Sequence, residues 1–167
     1  KKLKDNIHKT VDELQEDLVE TGHYYVQVLD YLREIGHAVN FITSPSLDHV
    51  KNNHKGMIPD QMKELNKIKD QLAEYINACS EIIRTNDFRK LDKVGKMQGE
   101  LLDTLDASRK SQIKRIKKSE TGTKNSMLFL NTLQETKNLV LFIMNLLKSY
   151  RDFVIYDNNV NGKLSKK

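Results

Sequence analysis

The chain has 167 residues, enough for one domain with a sizeable core, and a formal net charge of +5. With 2 prolines, 7 glycines and 31% charged residues, the composition favours long amphipathic helices and argues against a sheet. The single Cys79 cannot form an internal disulfide and is expected to be a buried thiol in a reducing compartment. No segment has the roughly 18 uncharged apolar residues of a membrane span.

Apolar residues at spacings of three and four predict five long antiparallel helices joined by short connections. The predicted helices run over about residues 3–19, 23–52, 59–84, 88–119 and 123–156. In the second helix, the stripe that includes Tyr25, Leu32 and Val39 is expected to face inward. In the fourth, Gln112, Ile113 and Ile116 are expected to face inward as well.

Several residues mark the expected helix ends and interruptions. Thr21-Gly22 separates the first two helices, and Ser44-Pro45 is expected to kink the second. Asn86 or Asp87 is the expected cap of the fourth helix. Three further helix ends are predicted: Pro59 lies in the first turn of the third helix, Gly122 ends the fourth and Thr123 caps the fifth.

The fifth helix is the most apolar segment. Residues 139–144 are apolar on every side, which predicts a helix surrounded by others. After Asp157 the chain becomes polar and is expected to fray.

The second and fifth predicted helices resemble each other at an offset of 105 residues, so that Asp30 falls on Glu135 and Asn40 on Asn145. Each is an apolar helix with a carboxylate near its middle and an asparagine further on. This repeat predicts a pseudo-symmetric bundle with the two acid-bearing helices side by side at its centre. The paired asparagines either contact a ligand or form a hydrogen bond between helices.

Asp30, Glu34 and His37 form a candidate metal site. Their spacings of four and three place them on one side of a helix, and carboxylates and imidazole are ligands for Zn, Fe or Mn. Glu135 would reach the same cavity if the repeats pack symmetrically. The residues therefore suggest a divalent or iron-type metal, with solvated surface charges as the alternative.

Positive charge is concentrated in the second half of the chain. Residues 1–84 carry 11 basic and 14 acidic side chains, whereas residues 85–167 carry 17 and 9. The candidate contacts to an anionic surface are Arg109, Lys110, Lys114, Arg115, Lys117 and Lys118. Such a one-sided field favours an anionic partner or a membrane surface. Specific nucleic-acid recognition is not expected, because aromatic residues and reading motifs are missing from this run.

Residues 32–40, Leu-Arg-Glu-Ile-Gly-His-Ala-Val-Asn, resemble the helix signature of PhoU-type phosphate-regulatory proteins, a signature that occurs twice in that family. Residues 21–30 and 122–131 are similar to the PhoU-like cytosolic domain attached to PiT-type inorganic phosphate transporters of Bacteroides-like bacteria. The resemblance implies an all-α fold of tandem three-helix bundles, a single PhoU-like domain over 1–167. Its halves would span about residues 1–56 and 57–157, with a tail over 158–167 and a first helix before residue 1.

The resemblance also implies a function. It predicts a non-catalytic regulatory or accessory domain of inorganic phosphate transport, which binds a membrane phosphate transporter in cis or in trans. The expected location is cytoplasmic, at the inner face of the membrane, and homo-oligomerisation is left open. The alternatives are a metal-binding helical bundle with an enzymatic or storage role, and a helical protein–protein adaptor.

Overall fold

The fold was obtained as a computed structural model, which describes the backbone of residues 19–164 and the side chains of residues 22–156. Four α-helices cover this range: α1 Val19–Lys51, α2 Pro59–Thr85, α3 Leu91–Lys117 and α4 Thr123–Leu164. One turn of 3-10 helix, Phe88–Lys90, precedes α3, and residues 19–164 contain no strand. The predicted all-α class is confirmed, and four of the five predicted helices are present. The helix predicted over residues 3–19 lies outside the described residues.

Helix α1 runs without a break through Thr21, Gly22 and Pro45. The interruption expected at Thr21-Gly22 was therefore wrong. A glycine inside a helix costs only about 1 kcal/mol, which packing can outweigh, and Gly22 is buried. Pro45 has no N–H to donate to the carbonyl of Phe41, and the side chain of Asn131 on α4 donates to that oxygen instead, at 3.2 Å.

Helix α2 begins at Pro59, where a missing N–H costs no hydrogen bond. The Gln61 side chain accepts a hydrogen bond from the N–H of Ile58 at 3.1 Å and so caps the helix start. At the other end Asn86 adopts a left-handed conformation, with φ of 53°. Asn86 thus ends α2 and does not cap the next helix, while Asp87 makes no side-chain cap bond and pairs with Arg89 at 2.7 Å.

Two helices end in Schellman motifs built without glycine. In α3, Ser119 has φ of 56°, its N–H donates to Ile116 and the N–H of Glu120 donates to Arg115. The expected stop at Gly122 was therefore three residues late, because Ser119 takes the left-handed conformation. Helix α1 ends in the same way, with Asn53 at φ of 50°.

Helix α4 extends further than expected. Its backbone remains helical to Leu164, whereas fraying was predicted after Asp157. The polar residues of the tail include no proline, so nothing in the sequence forces an end there.

Helix α4 packs against each of the other three helices. α1 runs antiparallel to it, since Asn131 reaches Phe41 and Ser149 donates to Gln27 at 3.4 Å. α2 is parallel to α4, since Asn125 donates to the carbonyl of Gly56 just before α2 and the Tyr75 hydroxyl donates to the carbonyl of Val140 at 3.1 Å. The prediction that α4 is surrounded is thereby confirmed.

Helices α2, α3 and α4 form a three-helix bundle, and α1 packs almost entirely on α4. The buried apolar core is shared among α2, α3 and α4, with one buried contribution from α1, Ala38. No helix between residues 19 and 164 has the length and apolar character needed to cross a bilayer.

Candidate functional site

The predicted metal ligands of α1 are exposed or half-buried and already engaged. Arg33 lies between Asp30 and Glu34, with its guanidinium nitrogen 3.5 Å from the Asp30 carboxylate and 3.0 Å from that of Glu34. His37 stacks on Phe41, with ring centroids 6.3 Å apart. Exposed ion pairs of this kind contribute about 0–1 kcal/mol each to the free energy of unfolding. They fit the alternative interpretation of these residues as solvated surface charges.

Glu135 is on the neighbouring helix but at another level. α1 and α4 lie side by side, as the repeat predicted, but the prediction that both are central was wrong for α1, which packs on the outside of the three-helix bundle. Their antiparallel register places Gln27 beside Ser149 and Phe41 beside Asn131. At a rise of 1.5 Å per residue, Asp30 and Glu135 are offset by roughly 10–15 Å along the helix axes. Glu135 instead accepts a hydrogen bond from Asn138 at 3.2 Å.

The asparagine pair predicted from the repeat is also not a shared site. Asn40 is exposed, and its side-chain oxygen accepts a hydrogen bond from Ser44 on its own helix at 2.9 Å. Among the described side chains, no group of three or more His, Cys, Asp or Glu is placed to hold a metal ion. The structure therefore does not gather the predicted ligands into one centre.

Helix α1 carries apolar residues on two faces. One face lies on α4 and includes the buried Ala38 and the partly buried Ile35 and Ile42. The second face, the α1 stripe, consists of Tyr25, Leu32, Val39, Leu47 and Val50. These five side chains are between 44% and 70% exposed.

The α1 stripe corrects the sequence prediction that Tyr25, Leu32 and Val39 point inward. Residues 24, 31 and 38 repeat at seven-residue spacing beside residues 25, 32 and 39, so two apolar rows run next to each other along the helix. Within the part of the chain that the structure describes, α4 covers only the row of residues 24, 31 and 38. The doubled row is the signal in the sequence that indicated an additional contact surface.

A buried polar network closes the end of the bundle where α2 begins and α3 ends. Gln61 donates to Gln112 at 3.0 Å, and Gln112 donates to Ser126 at 3.1 Å. The Arg115 guanidinium donates to Gln112 at 2.8 Å and pairs with Glu64. The inward orientation predicted for Gln112 is confirmed. The same prediction was wrong for Ile113 and Ile116, which are exposed because Gln112 and Arg115 occupy the inward positions of this part of α3.

The network determines which of the predicted cations are on the surface. Arg115 is buried and lies 5.7 Å from the ring centroid of Phe129, so it belongs to the core. The other five predicted cations, Arg109, Lys110, Lys114, Lys117 and Lys118, are exposed. Of these, Lys110 pairs with Asp106 at 2.7 Å, and this hydrogen bond lowers the pKa of Asp106.

A histidine pair lies beside the start of α4. The rings of His49 and His54 are 5.1 Å apart, and Lys124 lies 3.2 Å from the Nε2 atom of His54. Desolvation, followed by the charges of Lys124 and His49, lowers the pKa of His54. The pair lines an open cavity of about 500 Å³ together with Met127.

Comparison with known proteins adds no relative to this description. No protein-family model matches the sequence, and neither a curated protein nor a solved structure is detectably similar to the chain.

Proposed function

We propose that this chain is a non-catalytic regulatory or accessory domain of inorganic phosphate transport, which acts by binding a membrane phosphate transporter from its cytoplasmic side. The observation that carries the proposal is the α1 stripe, an apolar surface that the other described helices leave exposed beside a well-formed core. The likeness of residues 32–40 to the PhoU signature supplies the link to phosphate. The bundle of α2, α3 and α4 is compatible with one half of a tandem PhoU-like fold.

The α1 stripe has the dimensions of a helix-docking surface. From Tyr25 to Val50 it extends over about 37 Å at 1.5 Å per residue. Large apolar side chains that line one helix face in contact with water mark interaction sites, because burying them against a partner is favourable. An apolar row of this kind suits a partner helix laid along it.

The proposal is tested by measuring phosphate uptake in cells that express a PiT-type transporter with or without the chain. The test variant is Leu32→Asp with Val39→Asp, which places two charges on the α1 stripe. The matched control is Met62→Asp with Ile76→Asp, two exposed apolar residues of α2. We expect the chain to change uptake and to co-purify with the transporter, the stripe variant to do neither and the control to do both. The proposal would be overturned if the wild-type chain neither changed phosphate uptake nor co-purified with the transporter.

A helical protein–protein adaptor is the second candidate, because the α1 stripe specifies an apolar partner and contains no phosphate chemistry of its own. In the same cells, stripe-dependent binding to the transporter with unchanged uptake would favour this alternative.

A further inference from the structure

We propose that the end of the bundle formed by the C-terminal turns of α3 and the first turns of α4 binds the surface of a bilayer that contains anionic phospholipids. This surface, the α3–α4 end surface, consists of Ile113, Ile116 and Met127 with the exposed cations around them. The inference rests on the proposed function for its cellular setting, since it names the way in which the domain would be held at a membrane.

The buried row of α3 changes from apolar to polar at this end, where Gln112 and Arg115 follow Leu101 and Leu105 on the same face. Gln112 and Arg115 are 0% and 7% exposed, whereas Ile113 and Ile116 are 41% and 43% exposed. Gln112 donates to Ser126, and Arg115 donates to Gln112 and pairs with Glu64. Because these contacts fix the orientation of α3, the isoleucines cannot turn inward without breaking the network. A fold that buries polar groups and exposes isoleucines in adjacent positions keeps an apolar surface in water, which marks an interaction site.

Met127 is an exposed apolar side chain in the first turns of α4. It is 67% exposed, and it lines the same cavity of about 430 Å³ as Arg109. Arg109 precedes Ile113 by four residues, and Lys117 follows Ile113 by four, so these side chains share one side of α3. Basic and apolar side chains therefore alternate along this side of α3, and Arg109 connects that side to Met127.

Positive charge dominates the surroundings. In the stretch 106–124 the exposed cations are Arg109, Lys110, Lys114, Lys117, Lys118 and Lys124. The exposed carboxylates of the same stretch are Asp106 and Glu120, which lie 2.7 Å from Lys110 and 3.7 Å from Lys118. Arg109, Lys114 and Lys117 have no such carboxylate among the ion pairs of the described residues and are available to an external anion.

The combination favours a lipid surface over the other polyanions. Isoleucine and methionine side chains can enter the boundary between headgroups and acyl chains, while lysine and arginine stems reach the phosphates. Single-stranded nucleic acid would instead require aromatic rings for base stacking, and residues 106–127 contain none. Each basic residue near an anionic leaflet strengthens binding roughly fivefold.

Vesicle co-sedimentation of the full chain tests the proposal. The probes are vesicles of phosphatidylcholine with phosphatidylserine, and vesicles of phosphatidylcholine alone. We expect binding to the first that weakens with added salt, and little binding to the second. Lys114→Gln with Lys117→Gln should weaken binding roughly 25-fold, since two basic residues are removed.

The matched control is Lys93→Gln with Lys96→Gln, which removes the same charge from exposed lysines at the opposite end of α3 and should leave binding nearly unchanged. Ile113→Asn with Ile116→Asn should weaken binding at constant charge, and Ile76→Asn on α2 should not. Circular dichroism of each variant establishes that it is folded.

Three outcomes would overturn the proposal: equal binding to both kinds of vesicle, equal losses in the Lys114/Lys117 and Lys93/Lys96 variants, or competition by a nucleic-acid duplex that displaces the vesicles through the same residues. None of them bears on phosphate uptake, which is tested through the α1 stripe. Conversely, if the chain had no effect on uptake but still bound the vesicles, the proposed function would fail and the membrane-binding role of the α3–α4 end surface would stand.

Discussion

Asn131 of α4 donates a hydrogen bond to the Phe41 carbonyl of α1, the oxygen that Pro45 leaves without its helical donor. The contact joins two helices at the point where one of them has lost a backbone hydrogen bond. It also marks the antiparallel register of α1 and α4, which offsets Asp30 from Glu135.

Replacement of Asn131 by alanine should lower the free energy of unfolding by about 0.5–1 kcal/mol, because one exposed hydrogen bond is lost. In a Pro45→Ala background the loss should nearly vanish, since the new N–H at position 45 can donate to Phe41. A double-mutant cycle by urea denaturation measures this coupling. Strictly additive effects of the two substitutions would show that Asn131 does not compensate for Pro45.

Replacement of Arg115 by alanine should destabilise the protein by about 2–3 kcal/mol, because Glu64 and Gln112 lose a buried donor. The exposed neighbour Lys114 provides the control, and Lys114→Ala should stay within about 0.5 kcal/mol of the wild type. Chemical denaturation of both variants gives the comparison. Equal effects would place Arg115 on the surface.

The stability of the fold should fall as the pH rises above about 9. Burial raises the pKa of the Cys79 thiol from 9.0 to about 11, so the unfolded chain loses its proton at a lower pH than the folded chain. The stabilising contribution is complete below pH 9.0 and is lost towards pH 11, at up to about 1.4 kcal/mol per pH unit. Burial also raises the pKa of Tyr75, which adds to the same trend.

Denaturation curves across this pH range measure the effect, and Cys79→Ala should make the decline shallower. The rate at which a thiol reagent modifies Cys79 at neutral pH should also follow the rate of opening, since the side chain is buried. A decline as steep in Cys79→Ala as in the wild type would assign the whole effect to other groups.

Substitution of the α1 stripe should affect binding more than folding. Leu32→Ala should change stability by less than about 0.5 kcal/mol, because Leu32 is exposed. Ile82→Ala, in the fully buried core, should cost about 2–5 kcal/mol. Thermal and urea denaturation compare the two. A large loss for Leu32→Ala would mean that this side chain is covered within the domain.

Much of the helical fold could be predicted from the sequence, since the spacing of apolar residues located α1 to α4 to within a few residues at most ends. The errors have identifiable causes. Ser119 replaced the glycine expected at a helix stop, and two adjacent apolar rows made Leu32 look like a core residue. Arg115 was placed with the surface cations because its charge gives no indication of its buried partner Glu64, which lies 51 residues away in the chain.

The candidate sites were less predictable for a different reason. Whether Asp30 and Glu135 meet depends on the sliding register between two helices, and periodicity within each helix carries no information about that register. The same holds for Asn40, whose partner proved to be Ser44 in its own helix.

The packing of α1 against a single helix has a consequence for local unfolding. Because α1 contacts almost only α4 and contributes a single buried side chain, Ala38, to the core, α1 can detach while α2, α3 and α4 remain packed together. Amide protons of α1 should then exchange with solvent ahead of those in the remaining three helices. A partner that binds along α1 would then act on the helix that opens first, while the bundle of α2, α3 and α4 stays closed.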